Sequence, residues 1–363
     1  MTVALPAVPG VVDAADLLAT ARTIVEEQAA DGSIPWFRGW HLDPWDHVQA
    51  AMGLAVAGLR EEAEAAYRWS ARAQRADGTW ATSYRDGTVD DAATDANFTA
   101  YLATGVWHHW RRFGDPAFVA ELWPVVRAAL DAVLDLQRPD GAIVWRRDAD
   151  GIPAGEALVT GCSSIHLSLR CGAGLAAVVA PASDPQAPAA ARRWLDAAAR
   201  VGRALAHHEE RFEPKTRFSM DWYYPVLGGV LDPAAAAKRL DARWDDFVVT
   251  GQGVRCVDDH PWVTGGESAE LVLALDALGR DDAARTVLAD IQVLRRDDAR
   301  YWTGWVYPDE KHWPIEQTTW TAGTMLLAAD ALSRTTGANG LFRGEGLPQV
   351  PRPAAESASG AEA

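Results

Sequence analysis

Cysteine is scarce in this sequence, with three residues in a chain of 363. Cys162, Cys171 and Cys256 form no CxxC pair, and three thiols cannot all be joined in disulfides within one chain. This usage is typical of a reducing compartment rather than of a small secreted fold held together by disulfides. We therefore interpret the thiols as structural side chains.

Long hydrophobic runs are also missing at the amino terminus. The opening residues MTVALPAVPGVVDAADLL contain no basic segment and no apolar stretch long enough for a signal peptide or a membrane span. The sequence therefore predicts a cytoplasmic protein without a membrane-spanning segment.

Positive charge is limited: 34 Lys and Arg residues stand against 50 Asp and Glu residues, which gives a formal net charge of −16. Binding to a phosphate backbone or to anionic lipid needs clustered Lys and Arg side chains. The charge balance argues against nucleic acid and anionic membranes as partners. A small-molecule or oligosaccharide substrate that is neutral or cationic stays open, and so does a lipid-linked saccharide.

Recognised metal and phosphate motifs are absent as well. The sequence has no HExxH or CxxC spacing, and the GQG at 251–253 is not followed by the Lys-Ser/Thr pair of a phosphate-binding loop. The nearest set of ligand-type residues is Cys256, Asp258 and His260 in CVDDH. We expect no bound metal and no cofactor.

Helical periodicity is what the chain does have, throughout most of its length. Apolar spacing and capping residues predict about twelve helices. Even-numbered helices are rich in small and aromatic residues, whereas odd-numbered ones carry Arg and Glu. The predicted bounds are 13–29, 43–58, 60–74, 92–112, 115–137, 159–180, 187–209, 219–230, 233–246, 264–278, 281–294 and 314–335.

This alternation predicts an all-α fold in which six helical hairpins form a ring, an (α/α)6 toroid with the even-numbered helices inside. Connections that lead into the even helices are long and aromatic, so the functional face is expected at the amino-terminal ends of the inner helices. We assign residues 1–336 to this domain. Residues 337–363 are rich in Gly, Pro, Ser and Glu, and are predicted to be a disordered tail.

A short theme recurs at the ends of helices: Gln, a few residues, Asp-Gly and then an aromatic residue. It occurs as QAADGSIPWF from Gln28, QRADGTW from Gln74 and QRPDGAIVW from Gln137. Asp-Gly supplies the turn and the left-handed residue with which a helix often ends. The repeat therefore predicts the same helix–loop–helix unit at three places.

The segment 301–332 combines an aromatic stretch with an apolar helical one. Its sequence, YWTGWVYPDEKHWPIEQTTWTAGTMLLAADAL, predicts a helix with Pro314 at its first position and Glu316 in its first turn. A carboxylate among several indoles suits a sugar-stacking pocket with one ionisable group.

The predicted helix starts bring further polar and aromatic residues to the same face. Asp46 and Glu267 each have a second interpretation, as capping residues; Thr264 with Glu267 has the spacing of a capping box. The residues proposed to contact substrate are Trp36, Trp45, Asp46, Asn97, Asp221, Trp222, Tyr223, Trp262, Glu267 and Trp313.

These helices and repeats resemble the α/α toroids of six-hairpin glycosidases, and they share QW-type repeats with terpenoid cyclases and protein prenyltransferases. Residues 97–145 and the segment WPIEQTTWTAGTMLLAA look like parts of glucoamylase-type enzymes. The resemblance implies Glu316, in the pair Glu316-Gln317, as catalytic base. Such enzymes place the acid before the sixth helix after a tryptophan; here Arg146 follows Trp145, and the nearest glutamate is Glu156.

The resemblance implies a carbohydrate-active enzyme, a glycoside hydrolase that uses two carboxylates with inversion, Glu156 as acid and Glu316 as base. One alternative is a prenyltransferase-like or terpenoid cyclase-like enzyme, although the chain lacks the DxDD acid and the VDGC context of those proteins. The other is a non-catalytic sugar-binding toroid, which Arg146 in place of an acid would favour.

Overall fold

The computed structural model describes residues 4–179 and 183–351. Within this part of the chain the fold is helical, with thirteen α-helices and a few short strands. The helices are α1 (Ala14–Glu27), α2 (Pro44–Val56), α3 (Arg60–Ala73), α4 (Ala96–Phe113), α5 (Pro116–Leu134), α6 (Val159–Val178), α7 (Ala187–His207), α8 (Ser219–Leu227), α9 (Pro233–Ala242), α10 (Trp244–Phe247), α11 (Gly265–Ala277), α12 (Asp281–Asp290) and α13 (Thr319–Ser333).

Six helices form a closed inner ring. In order, α2 packs on α4, α4 on α6, α6 on α8, α8 on α11, α11 on α13, and α13 returns to α2. Small residues allow the last contact, since a Cβ on Gly53 would lie 2.7 Å from the Cα atom of Gly323. Nearly every residue of α2, α11 and α13 is buried. The predicted (α/α)6 toroid is therefore confirmed.

The outer layer alternates with the inner one along the chain. Helices α1, α3, α5, α7, α9 and α12 each bury one face against the ring and expose a polar face, as amphipathic helices do. The predicted helix 233–246 is interrupted at Arg243, and α10 is a separate short turn. Helix α1 packs against α13, so the two ends of the ring meet.

The three Gln/Asp-Gly repeats join neighbouring outer helices. The Gln74 side-chain amide donates to the carbonyls of Gly78 and Val125, both at 2.9 Å. Gly78 has a φ of 86°, and a Cβ there would lie 2.5 Å from the carbonyl oxygen of Ala128. Gln28 and Gln137 make the same pair of bonds. The repeat is a structural device that ties α1 to α3, α3 to α5 and α5 to α7.

Short antiparallel strands cover the amino-terminal ends of the inner helices. Two pairs precede α4 and α6, and a five-stranded sheet precedes α11 and α13. The strands are β1 (Ser83–Arg85), β2 (Thr88–Asp91), β3 (Thr94–Asp95), β4 (Arg146–Arg147), β5 (Val248–Val249), β6 (Gly253–Arg255), β7 (Trp262–Thr264), β8 (Gly304–Val306) and β9 (Lys311–His312).

The last inner helix begins five residues later than the sequence predicts. Helix α13 starts at Thr319, where the Thr318 hydroxyl caps it by accepting from Thr321 N at 3.1 Å. The backbone before it pairs with β8 instead: Trp313 N donates to the Gly304 carbonyl at 3.0 Å. Glu316 is therefore in a loop, and the prediction of a first-turn carboxylate is wrong.

Part of the segment predicted to be a disordered tail packs on the rest of the fold. Leu341, Phe342 and Leu347 are buried, and Arg343 Nη1 lies 2.6 Å from Asp276 Oδ2. These few apolar residues are separated by glycines, so no periodicity reveals that they pack. The remainder of the predicted tail, 352–363, lies outside the described residues. Across the described ranges, no helix is long and apolar enough to cross a membrane.

Candidate active site

Five carboxyl groups meet where α2, α4 and α11 begin, and we call this set the carboxyl cluster. Burial and the charges of neighbouring members raise the pKa values of three of them. The charges of Asp43 and Glu270 act on Asp46, the charge of Asp43 acts on Asp95, and the charge of Glu267 acts on Glu270. In a protein interior such groups compete for ionisation, since desolvation and like charges both favour the neutral form. The members are Asp43, Asp46, Asp95, Glu267 and Glu270.

The start of α2 explains two of them. Asp43 is the N-cap, and its Oδ1 atom accepts from the backbone N atoms of Trp45 and Asp46 at 3.0 and 2.9 Å. Pro44 occupies the first helical position, as the sequence predicts. The Trp36 indole N–H donates to Oδ2 of both carboxyls. Burial, and then the Asp43 charge, raise the pKa of Asp46 well above its usual value. Asp46 is therefore suited to hold a proton.

The start of α4 follows the same plan. Asp95 accepts from the backbone N atoms of Asn97 and Phe98 at 2.8 and 3.1 Å, and burial raises its pKa to about 7. The Asn97 side chain is only 6% exposed, and its Oδ1 atom has no hydrogen-bond partner among the described residues. A buried acceptor without a partner costs free energy unless water or a ligand donates to it. Asn97 is placed to bind such a donor.

The start of α11 contradicts the capping-box interpretation of Glu267. Thr264 makes no side-chain capping bond to the helix, and within the described part of the chain its hydroxyl has no partner. Glu267 is 6% exposed, and its Oε2 atom likewise lacks a partner there. The Cys256 thiol lies beside this carboxyl, and burial, then the charge of Glu267, raise the pKa of Cys256. Glu267 thus keeps one carboxylate oxygen available.

Glu270 joins the cluster to the middle of the ring. Its carboxylate accepts from the Tyr223 hydroxyl at 2.6 Å, the Tyr224 hydroxyl at 2.7 Å and the Gln49 amide at 3.0 Å. The Gln49 oxygen accepts from the Trp320 indole at 2.9 Å. Burial raises the pKa of Glu270 to about 7. This network ties α2, α8, α11 and α13 beneath the cluster.

Of the predicted aromatic residues, Trp36, Trp45 and Tyr223 lie with the cluster. The Trp45 ring contacts Tyr224 edge-on at 5.8 Å, and its buried indole N–H has no partner among the described residues. Trp222 instead packs on Phe247 at 5.1 Å, in the contact with α9 and α10. Asp221, beside it, accepts from the Thr160 hydroxyl at 2.7 Å. The structure thus separates Trp222 and Asp221 from the cluster.

Trp262 and Trp313 lie together on the rim. Their rings meet edge-on at 4.9 Å, and the Trp262 indole N–H donates to the Trp313 carbonyl at 2.7 Å. They line a cavity of about 520 Å³ that also reaches Cys256. We call this cavity the aromatic groove; its apolar lining residues are Phe218, Val257, Pro261, Trp262, Val306 and Trp313.

The two predicted catalytic glutamates lie in loops. Glu316 is half-buried, burial raises its pKa, and its backbone carbonyl accepts from Thr303 N at 3.1 Å. Glu156 is exposed at the end of the loop before α6. Arg146 Nη2 lies 3.2 Å from Asp91 Oδ2, so its charge pairs away from Glu156. The catalytic roles of Glu316 and Glu156 stay predictions.

The CVDDH segment is held by ion pairs and a thiol contact. Asp258 lies 2.6 Å from Arg243, and His260 lies 2.9 Å from Asp259. The Cys256 thiol lies beside Glu267. Over the ranges that the structure describes, no group of three or more His, Cys, Asp or Glu residues is arranged to hold a metal ion.

Sequence reasoning missed Glu270 and Tyr224 as members of the site. Glu270 follows Glu267 by three residues in GGESAE, so both point to one side of α11. That spacing was the available signal for a second inward carboxyl. No such signal marked Tyr224, because three consecutive aromatic residues on a short helix do not show which of them faces inward.

Solved structures share this fold. A structure described as a wild-type glycosidase superposes with a TM-score of 0.68 at 19% identity, covering 90% of this chain and 98% of that one. A D-mannose isomerase superposes with a TM-score of 0.67 at 10% identity, covering 88% and 96%. At such low identities the likeness shows the fold alone, the α/α toroid found in glycosidases.

A curated relative gives the family. The chain is 52% identical over 346 residues to the MMP endo-(1,4)-3-O-methyl-alpha-D-mannosidase of Mycolicibacterium hassiacum, covering 95% of this chain and 94% of that enzyme. The chain therefore belongs to the family of this mannosidase and is a glycoside hydrolase. A scan against models of known protein families finds no match. These relatives give the prenyltransferase alternative no support.

Proposed function

We propose that this enzyme cleaves internal α-(1,4) linkages in a polymer of 3-O-methyl-mannose. The observation that carries the proposal is the 52% identity, along 95% of the chain, to an enzyme named for that reaction. The carboxyl cluster supports it, because glycoside hydrolysis needs one protonated and one ionised carboxyl group.

Asp46 is our proposed general acid. It is buried, the indole of Trp36 fixes its orientation, and its raised pKa favours the protonated form that a leaving oxygen requires. The neighbouring N-cap, Asp43, accepts two backbone N–H bonds and so keeps a separate structural role. This assignment competes with Glu156, which is exposed in the loop before α6.

Glu267 is our proposed base, with Glu316 as the competing assignment. A base must present a carboxylate oxygen that is free to accept from a water molecule, and the Oε2 atom of Glu267 has no partner among the described residues. Glu316 is less buried and lies outside the helical ring, at the rim. We propose inversion with either base, since a water molecule is then activated on the face of the sugar opposite the acid.

The substrate is tested by release of new reducing ends from a 3-O-methylated α-(1,4)-mannan, with an α-(1,4)-glucan as control polymer. We expect shorter internal fragments from the mannan and none from the glucan. Asp46→Asn should lower kcat by about 10²- to 10⁴-fold, the usual contribution of general acid catalysis. Asp232→Asn is the matched control, because Asp232 caps the outer helix α9 and Asn caps nearly as well.

Stereochemistry and base are tested separately. Proton NMR of the first product should show the β-anomer, and accumulation of the α-anomer would contradict inversion. Among Glu267→Gln, Glu316→Gln and Glu156→Gln, we expect only the first to lose turnover by orders of magnitude while its fold is retained. Loss confined to Glu316→Gln would transfer the base role to that residue. If the folded wild-type enzyme left the methylated mannan uncleaved, the proposed function itself would be contradicted.

A further inference from the structure

The aromatic groove exposes large apolar side chains that a soluble protein does not need on its surface. Trp313 is 55% exposed and Phe218 is 40% exposed. The groove volume of about 520 Å³ is within the range of small-ligand sites. Exposed aromatic residues around a cavity of this size indicate a binding site for a ligand with apolar surface.

The walls of the groove are fixed by backbone pairing. Trp262 is the register partner of Val306 in the sheet, and Phe218 forms an isolated bridge with Val257. Gly304 makes room for the rim, since a Cβ there would lie 2.2 Å from the Trp262 Nε1 atom and 2.8 Å from the Trp313 carbonyl oxygen. The groove is thus built before any ligand arrives, which lowers the cost of ordering on binding.

Several polar groups around the groove are already paired with one another. The Trp262 indole N–H is used by the Trp313 carbonyl. At the edge, Arg217 Nε donates to Asp259 at 2.7 Å, and His260 bonds to the same carboxylate at 2.9 Å. A sugar hydroxyl placed against these walls would lose water without gaining a partner, which costs free energy. A methyl ether has no O–H donor that needs an acceptor, and burial of its methyl group is favourable.

The groove is continuous with the carboxyl cluster through one side chain. Cys256 lines the groove and lies beside Glu267. A sugar unit in the groove would therefore lie beside the proposed base, so one bound oligosaccharide would reach both places.

We propose that the aromatic groove receives the 3-O-methyl group of the substrate and makes the enzyme selective for methylated over unmethylated mannosides. This inference rests on the proposed function. One methyl group in a hydrophobic pocket changes selectivity by about 10- to 200-fold. The groove should therefore set a preference of at least about tenfold.

Two measurements on the full chain test the inference. Binding of methyl α-D-mannopyranoside and of its 3-O-methyl ether is compared by calorimetry or by ligand NMR, and kcat/KM is compared for α-(1,4)-mannan fragments with and without 3-O-methyl groups. The variants are Trp313→Ala and Phe218→Ala, which remove exposed side chains. The matched control is Trp40→Ala, because Trp40 is 41% exposed and lines a separate cavity.

We expect the wild type and Trp40→Ala to prefer the ether and the methylated fragments by at least about tenfold. In Trp313→Ala and Phe218→Ala the preference should fall to within about threefold, through loss on the methylated ligand alone. Equal affinity of the wild type for both glycosides, undetectable binding of the ether, or a preference that survives in both groove variants would overturn the inference. Preferential binding without cleavage of any mannan would refute the proposed function and leave the groove assignment standing.

Discussion

Ionisation of Glu270 should make the stability of this protein fall as pH rises, and Glu270→Gln should remove that dependence. Glu270 is fully buried, and burial raises its pKa from 4.5 to about 7. A group whose pKa is higher in the folded state stabilises the fold when protonated; the contribution is complete below about pH 4.5 and is lost by about pH 7. At 1.36 kcal/mol per pKa unit, the loss is about 3 kcal/mol.

Urea unfolding at 25 °C, repeated at several pH values between 4 and 8, measures this directly. The informative quantity is the difference in unfolding free energy between wild type and Glu270→Gln, since other titrating groups cancel in it. We expect the wild type to lose about 3 kcal/mol relative to the variant between about pH 4.5 and pH 7. Glu61→Gln, at an exposed site on α3, is the control and should run parallel to wild type.

Parallel pH curves for wild type and Glu270→Gln would refute the reasoning. They would mean that the carboxyl ionises in the folded protein as easily as in the unfolded chain. The three donors from Tyr223, Tyr224 and Gln49 would then outweigh burial, since hydrogen bonds to the charged form lower a pKa.

Three further variants test other parts of the structure. Gly78→Ala places a Cβ at a left-handed residue 2.5 Å from a backbone oxygen, so urea unfolding should show a loss of more than about 1 kcal/mol. Phe342→Ala should cost about 3 kcal/mol, because Phe342 is part of the core; no loss would argue that residues after 336 do not pack on the ring. Asp46→Asn should remove the basic limb of the pH profile of kcat/KM, since that limb reports the protonated acid; an unchanged profile would exclude Asp46 from this role.

The repeats show how far local sequence can carry a prediction. Gln74 and Gly78 revealed a helix end and a turn, because glycine in the left-handed region is a local conformational requirement. The second function of Gln74, its bond to the Val125 carbonyl, joins α3 to α5 through residues that are 51 positions apart. No local pattern contains that partner, so the tie between outer helices became visible only in the fold.

The candidate site divides in a similar way. Asp46, Asn97, Tyr223 and Glu267 were predicted as ligand contacts from their positions at inner helix starts, and the structure places all of them around the carboxyl cluster. Trp222 was predicted on the same grounds but packs outward on Phe247. Residues three or four apart share a helix face, whereas adjacent residues do not, and the sequence does not say which face is inward.

By itself, the sequence determined the helices and the ring of six hairpins, and it predicted a site at the amino-terminal ends of the inner helices, because periodicity, capping residues and turn glycines act over a few residues. Only the tertiary structure decided the ionisation of the site and the place of the chain after 336. Asp46 and Glu270 have raised pKa values because distant helices exclude water from them. Leu341 and Phe342 pack because the assembled ring presents a surface that they can cover.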